Sequence, residues 1–251
     1  MGRVRHGYTN STERVADTVR KTYDGPNAAQ RQSKERLALT ALAGEVPVPK
    51  VIGYEAGSLS MTFMAGEHGQ NLIDKGHAAR VLDGCGRVLR ALHSIDVTKV
   101  YPRHGASGLV VTHGDFGPNN VLLDPSSFDV TAVLDWEFSG PGHAIIDVAW
   151  CEWIVRMHHA DAVAVLGAFF AAYGYEPPWG ERQAAMVRRC HWLETFARSG
   201  TRRVPLWPCG RNGPSRRPGG PSIRVPTAAR TTSEDFGQED RRPSYAAARR
   251  S

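Results

Sequence analysis

The stretch Val111-Thr-His-Gly-Asp-Phe-Gly-Pro-Asn-Asn-Val-Leu-Leu-Asp124 is followed, after a short spacer, by Ala132-Val-Leu-Asp-Trp-Glu-Phe-Ser-Gly-Pro-Gly142, and the segment closes at Asp147. His113, Gly114 and Asp115 stand beside the turn residues Gly117 and Pro118, with Asn120 shortly after. Twenty positions past Asp115, Asp135 ends a β-branched and aliphatic run. Val121 to Leu123 and Val130 to Leu134 read as short strands around the turn Asp124-Pro125-Ser126-Ser127. One acid thus sits in a loop, an amide at the loop exit, and a second acid at the end of the next strand.

These residue types at this spacing suit phosphoryl transfer. That reaction needs a group to position and deprotonate the incoming hydroxyl, magnesium on the phosphates, and a cation on the α- and β-phosphates. Magnesium favours oxygen ligands and takes one or two protein carboxylates. Asp115 can accept the hydroxyl proton. Asn120 offers a neutral oxygen to the metal, and Asp135 a charged one. Lys21, on an early strand, can reach the phosphates, and Glu35, on the following helix, can hold it as an ion pair. Glu137 reads as a second metal contact or as an acid leading a helix. His158 and His159 beside Asp161 read as a polar helix start rather than a metal site.

Composition narrows the class. The 251 residues are 41% hydrophobic and 22% charged, ordinary for a globular protein with a real core. No apolar run approaches the roughly 18 residues of a membrane span. The N-terminus has no apolar signal region. Cys85, Cys151, Cys190 and Cys209 are scattered, so neither a zinc site nor a disulfide framework is expected, and a reducing cytoplasm is the default. The net charge of +6 is unevenly spread. Residues 199–251 hold eleven Arg and four acids, a surplus of seven, which leaves −1 for residues 1–198. The basicity belongs to the tail, so nucleic acid is not an expected partner.

In chain order, Thr9 to Thr12 is a turn-prone cluster and Val15 to Tyr23 reads as a strand. Asn27 reads as the N-cap of a helix to about Ala43. A hairpin follows, Val51–Tyr54 with Leu59–Met64, then a glycine-rich crossing segment from Ala65 to Gln70. Helices are expected at about Gly76–His93, Ile145–Met157, His159–Tyr173 and Gly180–Arg198, the third well buried. Tyr101 to Gly108 reads as loop.

The pattern H-x-D-x-x-x-x-N is that of protein kinases, with Gly114 where they carry arginine. Followed by Leu134-Asp135-Trp136-Glu137, it resembles the aminoglycoside phosphotransferase and choline kinase family, over roughly residues 7–198. The resemblance implies an α+β, two-lobed, protein-kinase-like fold. A sheet-rich N-lobe would span residues 1–65 and a mainly helical C-lobe residues 66–198. It implies ATP and Mg2+ as cofactors and a small-molecule hydroxyl, such as one on an aminoglycoside or another antibiotic, as acceptor. Asp115 would be catalytic, Asn120 and Asp135 would hold the metal, and Lys21 with Glu35 would serve the phosphates. Thr62, Phe63 and Met64 would form the adenine-contacting linker, and Gly7 to Asn10 the nucleotide loop. Asp147 resembles the family's structural aspartate, and His113 reads as a brace rather than a base.

Two departures stand out. Little chain precedes Gly7, so either the covering of ATP is expected to be incomplete or the first strand to be only a few residues long. Beyond Arg198 periodicity is lost, and residues 199–251 hold seven of the sixteen prolines. That tail reads as disordered, and as a shifted reading frame or a truncation scar. A defective, non-catalytic nucleotide-binding protein is therefore the competing reading. If the frame has shifted, translating the coding DNA in the other frames past codon 198 should yield an amphipathic helix; finding none would sink the idea.

Overall fold

A computed structural model describes residues 3–4, 10–105 and 108–199. Strands β1 (Arg3–Val4), β2 (Asn10–Val15), β3 (Thr18–Tyr23), β4 (Val51–Glu55) and β5 (Ser58–Thr62) form an antiparallel sheet in the order β1-β2-β3-β5-β4. The first strand is short, two residues paired with Glu13 and Thr12. The single strand expected over Val15–Tyr23 is corrected. The chain reverses at Ala16-Asp17, with Ala16 at φ 53°, and β2 pairs back on β3 from Asn10↔Tyr23 to Val15↔Thr18. The polar cluster expected to turn is therefore strand from Asn10 onward, because cross-strand pairing outweighs the turn preference of Asn and Ser. Lys21 lies in the body of β3, opposite Thr12 and Leu59. The two-residue period of the strand puts it on the same face as Val19 and Tyr23, toward the core.

Helix α1 (Ala28–Leu42) forms where expected, but Asn27 sits at φ 53° and its side chain caps nothing. The buried face of α1 carries Arg31, Gln32 and Glu35 along with Ala38, Leu39 and Leu42. Gln32 fastens the β4–β5 turn to the helix. Its amide donates to the carbonyls of Glu55 and Ser58 at 2.5 and 2.7 Å and accepts from Gly57 N at 3.0 Å.

The rest of the described chain is mainly helical. It comprises β6 (Glu67–His68), α2 (Gly69–Asp74), α3 (Ala78–His93), α4 (Val97–Val100), β7 (Val110–Thr112), β8 (Val121–Leu123), β9 (Val130–Val133), β10 (Gly140–Gly142), α5 (Ile145–His158), α6 (Gly167–Tyr173) and α7 (Trp179–Arg198). The crossing segment is not purely loop: β6 pairs with β8, and β8 with β9. The helix expected over His159–Tyr173 is a 3-10 turn, Ala160–Val165, followed by the shorter α6. It is not buried all round. Ala162, Leu166, Phe169 and Phe170 face inward while Gly167 and Ala171 are exposed.

One apolar cluster runs from Tyr23, Leu39 and Leu59 through Leu82, Leu89 and Val111 to Phe116, Trp136 and Phe169. Among the described residues no helix is long and apolar enough to cross a membrane. The expected nucleotide loop, apart from Asn10, and the Arg/Pro/Gly-rich tail, apart from Ser199, lie outside the described residues.

The two glycines inside α3 differ in purpose. A Cβ on Gly86 would meet the Phe169 carbonyl, and the Ala172 Cβ at 2.8 Å, so its absence lets α3 and α6 touch backbone to backbone. A Cβ on Gly84 would find the end of the Leu123 side chain at 3.1 Å, which can move. Gly86→Ala should therefore cost about 1–3 kcal/mol despite the better helix former. A Cβ on Gly84 would also come within 3.3 Å of the Phe128 carbonyl, so Gly84→Ala should cost less than Gly86→Ala without being free. Thermal unfolding of both variants checks this, with a fall of roughly 2–4 °C per kcal/mol expected, larger for Gly86→Ala.

Candidate active site

The site begins on β3. Lys21 Nζ lies 2.6 Å from Glu35 Oε2, 2.5 Å from Asp135 Oδ1 and 3.4 Å from Glu137 Oε2. The expected Lys21–Glu35 pair is therefore formed, and Asp135 closes on the same ammonium. Burial acts to lower the Lys21 pKa, but the carboxylates of Asp135, Glu35 and Glu137 outweigh it and hold the ammonium charged well above its usual range. Burial alone would raise the Asp135 pKa; the Lys21 charge and hydrogen bond reverse that and keep it ionised. Glu35 is pushed up by burial, with Lys21 pulling the other way. Its second oxygen accepts from Trp136 N at 3.3 Å, and Tyr23 donates to Oε2 at 2.6 Å.

Glu137 belongs to this cluster and not to a helix surface. It is 3% exposed and pairs with Arg31 Nη1 at 2.8 Å. Asn10 donates to it at 2.5 Å and accepts from the same Arg31 nitrogen at 2.9 Å. Three carboxylates thus face two cations, which leaves one negative charge in a buried place. Oxygens of Glu35, Asp135 and Glu137 lie within 4.8 Å of one another. This donor set is all carboxylate oxygen, which suits a hard divalent cation. Glu35 and Glu137 are enclosed, whereas the Asp135 side chain is 35% exposed and can turn an oxygen outward. Its backbone is left-handed, at φ 67°, an uncommon conformation for a residue with a side chain.

Asp115 stands in the loop between β7 and β8. Trp150 Nε1 donates to its Oδ1 at 2.7 Å. Asn120 Nδ2 donates to its Oδ2 at 3.1 Å and to its backbone carbonyl at 2.8 Å. Both partners of that amide nitrogen are acceptors, so the Asn120 Oδ1 is the atom left to bind something else. Leu134 N donates to the Asn120 carbonyl at 2.8 Å, which brings the loop exit beside the chain entering Asp135. Asn120 and Asp135 are thus neighbours, as their spacing suggested. Burial raises the Asp115 pKa to about 6, with Asp135 adding to it, against the charge of Arg189 and the Trp150 and Asn120 hydrogen bonds.

The loop is braced from behind. Asp147, fully buried near the start of α5, accepts from His113 N and Gly114 N at 2.8 Å each, and lies 3.1 Å from His93 Nε2. His113 Nε2 faces the Leu134 carbonyl at 2.8 Å, and its Nδ1 faces Asp115 N at 3.2 Å. Those partners assign the proton to Nε2. Burial holds the imidazole pKa down, so the ring is a neutral brace. Gly114 sits at φ 80°, where an added Cβ would meet the Phe138 carbonyl, so no side chain fits at that place in the motif.

The expected linker residues follow β5. Thr62 Oγ1 accepts from Lys50 N at 2.9 Å, Phe63 N donates to the Asp17 carbonyl at 2.8 Å, and Met64 Sδ lies 3.7 Å from Thr62 Oγ1. The Phe63 amide is therefore engaged by the β2–β3 turn, and the hydrogen bonds of these three residues stay within the sheet and its turns. Arg31, Tyr23, Trp150 and Arg189 escaped the sequence reading. Arg31 had one usable signal: it precedes Glu35 by four residues on one helix, hence on one face. Trp150 follows Asp147 by three and shares its face in the same way.

Asp147 yields a stability prediction. Burial opposes its ionised form, but His93 and the His113 amide outweigh that and keep its pKa below the usual range. Its contribution is complete above the ordinary carboxylate pKa and is lost only as pH falls through the depressed value. Asp147→Ala would strand two amides and His93, at a cost of about 3 kcal/mol or more. Denaturant unfolding at pH 7 should show that loss, shrinking as the pH is lowered below about 4.

Comparison with known proteins followed the same lines. The model of the phosphotransferase enzyme family (APH) matches residues 2–106 and 99–186. A chicken (Gallus gallus) acyl-CoA dehydrogenase family member 11 is 33% identical over 84 residues, which is 33% of this chain and 11% of that protein's length. An aminoglycoside phosphotransferase APH(3'')-Id from Streptomyces rimosus, solved with ADP and streptomycin, superposes with TM-score 0.55 at 16% identity, covering 70% of this chain and 88% of that one. A macrolide 2'-phosphotransferase MphH from Brachybacterium faecium gives TM-score 0.57 at 16% identity, covering 80% and 88%. At these identities the structures establish the kinase-like fold, with a sheet-rich N-terminal part and a helical C-terminal part. The family model spans well over half of the sequence, and the chain belongs to the phosphotransferase enzyme family.

Proposed function

We propose that this chain transfers the γ-phosphoryl group of ATP, with Mg2+, to a hydroxyl of a small molecule. The observation that carries the reading is the convergence of Asp115, Asn120 and Asp135 on adjoining segments, with the Lys21–Glu35 pair closing on Asp135. Residues 1–65 would act as the nucleotide lobe and residues 66–198 as the acceptor lobe. Thr62 to Met64 would border the adenine, and Lys21 would meet the phosphates. Asp135 and the free Asn120 oxygen would hold magnesium, which when bound neutralises charge on the transferring phosphoryl group. The buried thiols of Cys85, Cys151 and Cys190 suit a reducing cytoplasm. Neither nucleic acid nor a membrane is required.

The chain's own part in the reaction is positional and protic. Asp115 takes the proton of the acceptor hydroxyl on a remaining lone pair of its carboxylate, each of whose oxygens already accepts one hydrogen bond, from Trp150 or from Asn120. Its raised pKa, about 6, makes it a better base than an ordinary aspartate while it stays ionised at neutral pH. Lys21 is freed to swing toward phosphate oxygens because Glu35 keeps a carboxylate on it throughout. The His113 and Asp147 brace fixes where the Asp115 carboxylate points, and small displacements of a reacting group are costly in rate.

Purified protein with MgATP and a panel of aminoglycosides, macrolides and simple alcohols tests this. Turnover on at least one acceptor is expected, and nucleotide binding without turnover on any would favour the non-catalytic reading. Asp115→Asn should lower kcat by about 100- to 10,000-fold. It should leave the melting temperature at pH 8 equal or higher, because the folded-state pKa of Asp115 is raised and its ionisation costs stability as pH climbs. In the wild type, kcat/KM should fall as the pH drops through about 6.

A further inference from the structure

The acceptor side of Asp115 carries an unexplained cation. Arg189, on α7, points its guanidinium into a ring of aromatics: its carbon is 4.2 Å from the Trp192 ring centre, 5.3 Å from Phe138 and 5.7 Å from Trp150. Trp150 is the side chain that donates to Asp115. The Nε and Nη2 atoms of Arg189 are buried and make no hydrogen bond among the described residues, although the guanidinium lies close enough to Asp115 for the two charges to act on each other. A guanidinium stays charged, and leaving its donors unsatisfied in a buried place is costly. Such a group in a native structure calls for a partner, and the described residues place none on these two atoms.

The nearby acids are already committed. Glu152 is fully buried between Arg156, at 2.6 Å, and Arg182, at 2.9 Å. Glu176 pairs with Arg182, and Glu194 pairs with Arg198 at 2.5 Å. Of the acids on this side, Asp161 and Glu181 lie exposed. Among the described residues the surface beside Asp115 therefore offers a polycation no uncommitted enclosed carboxylate other than Asp115 itself, while it offers an anion one half-buried, aromatic-walled guanidinium.

We infer that Arg189 receives an oxyanion borne by the acceptor itself, so that the substrate class is a hydroxy compound carrying a carboxylate or phosphate and not a polycationic aminoglycoside. The inference rests on the phosphotransferase reading for the word acceptor, though not for the anion site. A guanidinium binds a carboxylate or phosphate through two parallel N–H donors, and the idle Nε and Nη2 belong to one such edge. The aromatic walls would exclude water from the pair and cover the rest of the molecule. Anchoring the anion there would set the acceptor's hydroxyl against Asp115.

The test has a binding arm and a turnover arm, both on the full chain. Tryptophan fluorescence is titrated with inorganic phosphate and with glycerate. Saturable binding is expected in the wild type and in Lys21→Met, weakened at least tenfold by Arg189→Gln and less by Arg189→Lys, with circular dichroism confirming that each variant folds. Glyceramide and 3-amino-1,2-propanediol, matched in skeleton but neutral and cationic, should bind more weakly than glycerate. Binding that is unsaturable, or unchanged in Arg189→Gln, overturns the inference. In the turnover arm, acceptors matched as acid and amide are compared with MgATP. The ratio of kcat/KM for acid over amide should fall at least tenfold in Arg189→Gln. An equal loss on both would assign Arg189 to Asp115 or to the transferred phosphoryl group and overturn the inference. Failure to turn over any acceptor would sink the phosphotransferase reading alone, and the titrations would still decide the anion site.

Discussion

The structure depends on a buried cluster of opposite charges where Lys21 and Arg31 meet Glu35, Asp135 and Glu137. The five members come from three stretches of chain: the central strand of the sheet, the helix behind it, and the turn after β9. Taking such groups out of water is expensive, and their mutual attraction recovers that cost only when geometry and further hydrogen bonds are good. Here Tyr23, Asn10 and the Trp136 amide supply those bonds. The cluster is best understood as a device for register. It fixes the first sheet against the turn that carries Asp135, at a point where apolar packing alone would tolerate sliding. Its surplus negative charge also explains why a divalent cation would be welcome there. A divalent cation would take the cluster from a charge of −1 to +1, a surplus that suits an anionic ligand.

A second constraint acts at right angles to the first. The loop bearing Asp115 has no regular secondary structure of its own except a short 3-10 turn at its exit. It is held by Asp147 from below and by His113 from the side, both buried and both spending their hydrogen bonds on backbone. Rigidity is thus supplied by charged and aromatic side chains reaching in from α5 and β7. That arrangement leaves the Asp115 carboxylate itself half exposed, with one oxygen shared by Trp150 and the other by Asn120.

How much of this was legible in the sequence differs between local and distant features. The motif around His113, Asp115, Asn120 and Asp135 could be read directly, because its residues are fixed relative to one another by short connections. The hairpin and most helices were legible from periodicity for the same reason. The reversal at Ala16-Asp17 was not, because no glycine, proline or asparagine marks it and Ala16 adopts a left-handed conformation that only pairing across β2 and β3 enforces. Arg31 was hidden by its setting among Gln, Lys and Glu in a helix that looks like a solvated face. What buries it is Glu137, over a hundred positions away. Arg189 was hidden similarly: its meaning comes from Phe138, Trp150 and Trp192, which no local pattern joins.

The two sides of Asp115 differ in kind, and the difference bears on how one fold serves many acceptors. The nucleotide side is dense with fixed charge, and removing any one group leaves its partners buried and unpaired. The acceptor side is built from aromatic rings and one idle guanidinium, which can be repacked without breaking a network. Substitution there changes shape and charge at modest cost, since volume-conserving exchanges among apolar groups are well tolerated. Specificity can therefore drift on α5 and α7 while the chemistry stays put. If the proposed phosphoryl transfer holds, what selects the acceptor would lie in the residues around Arg189 and not in the motif that identifies the family.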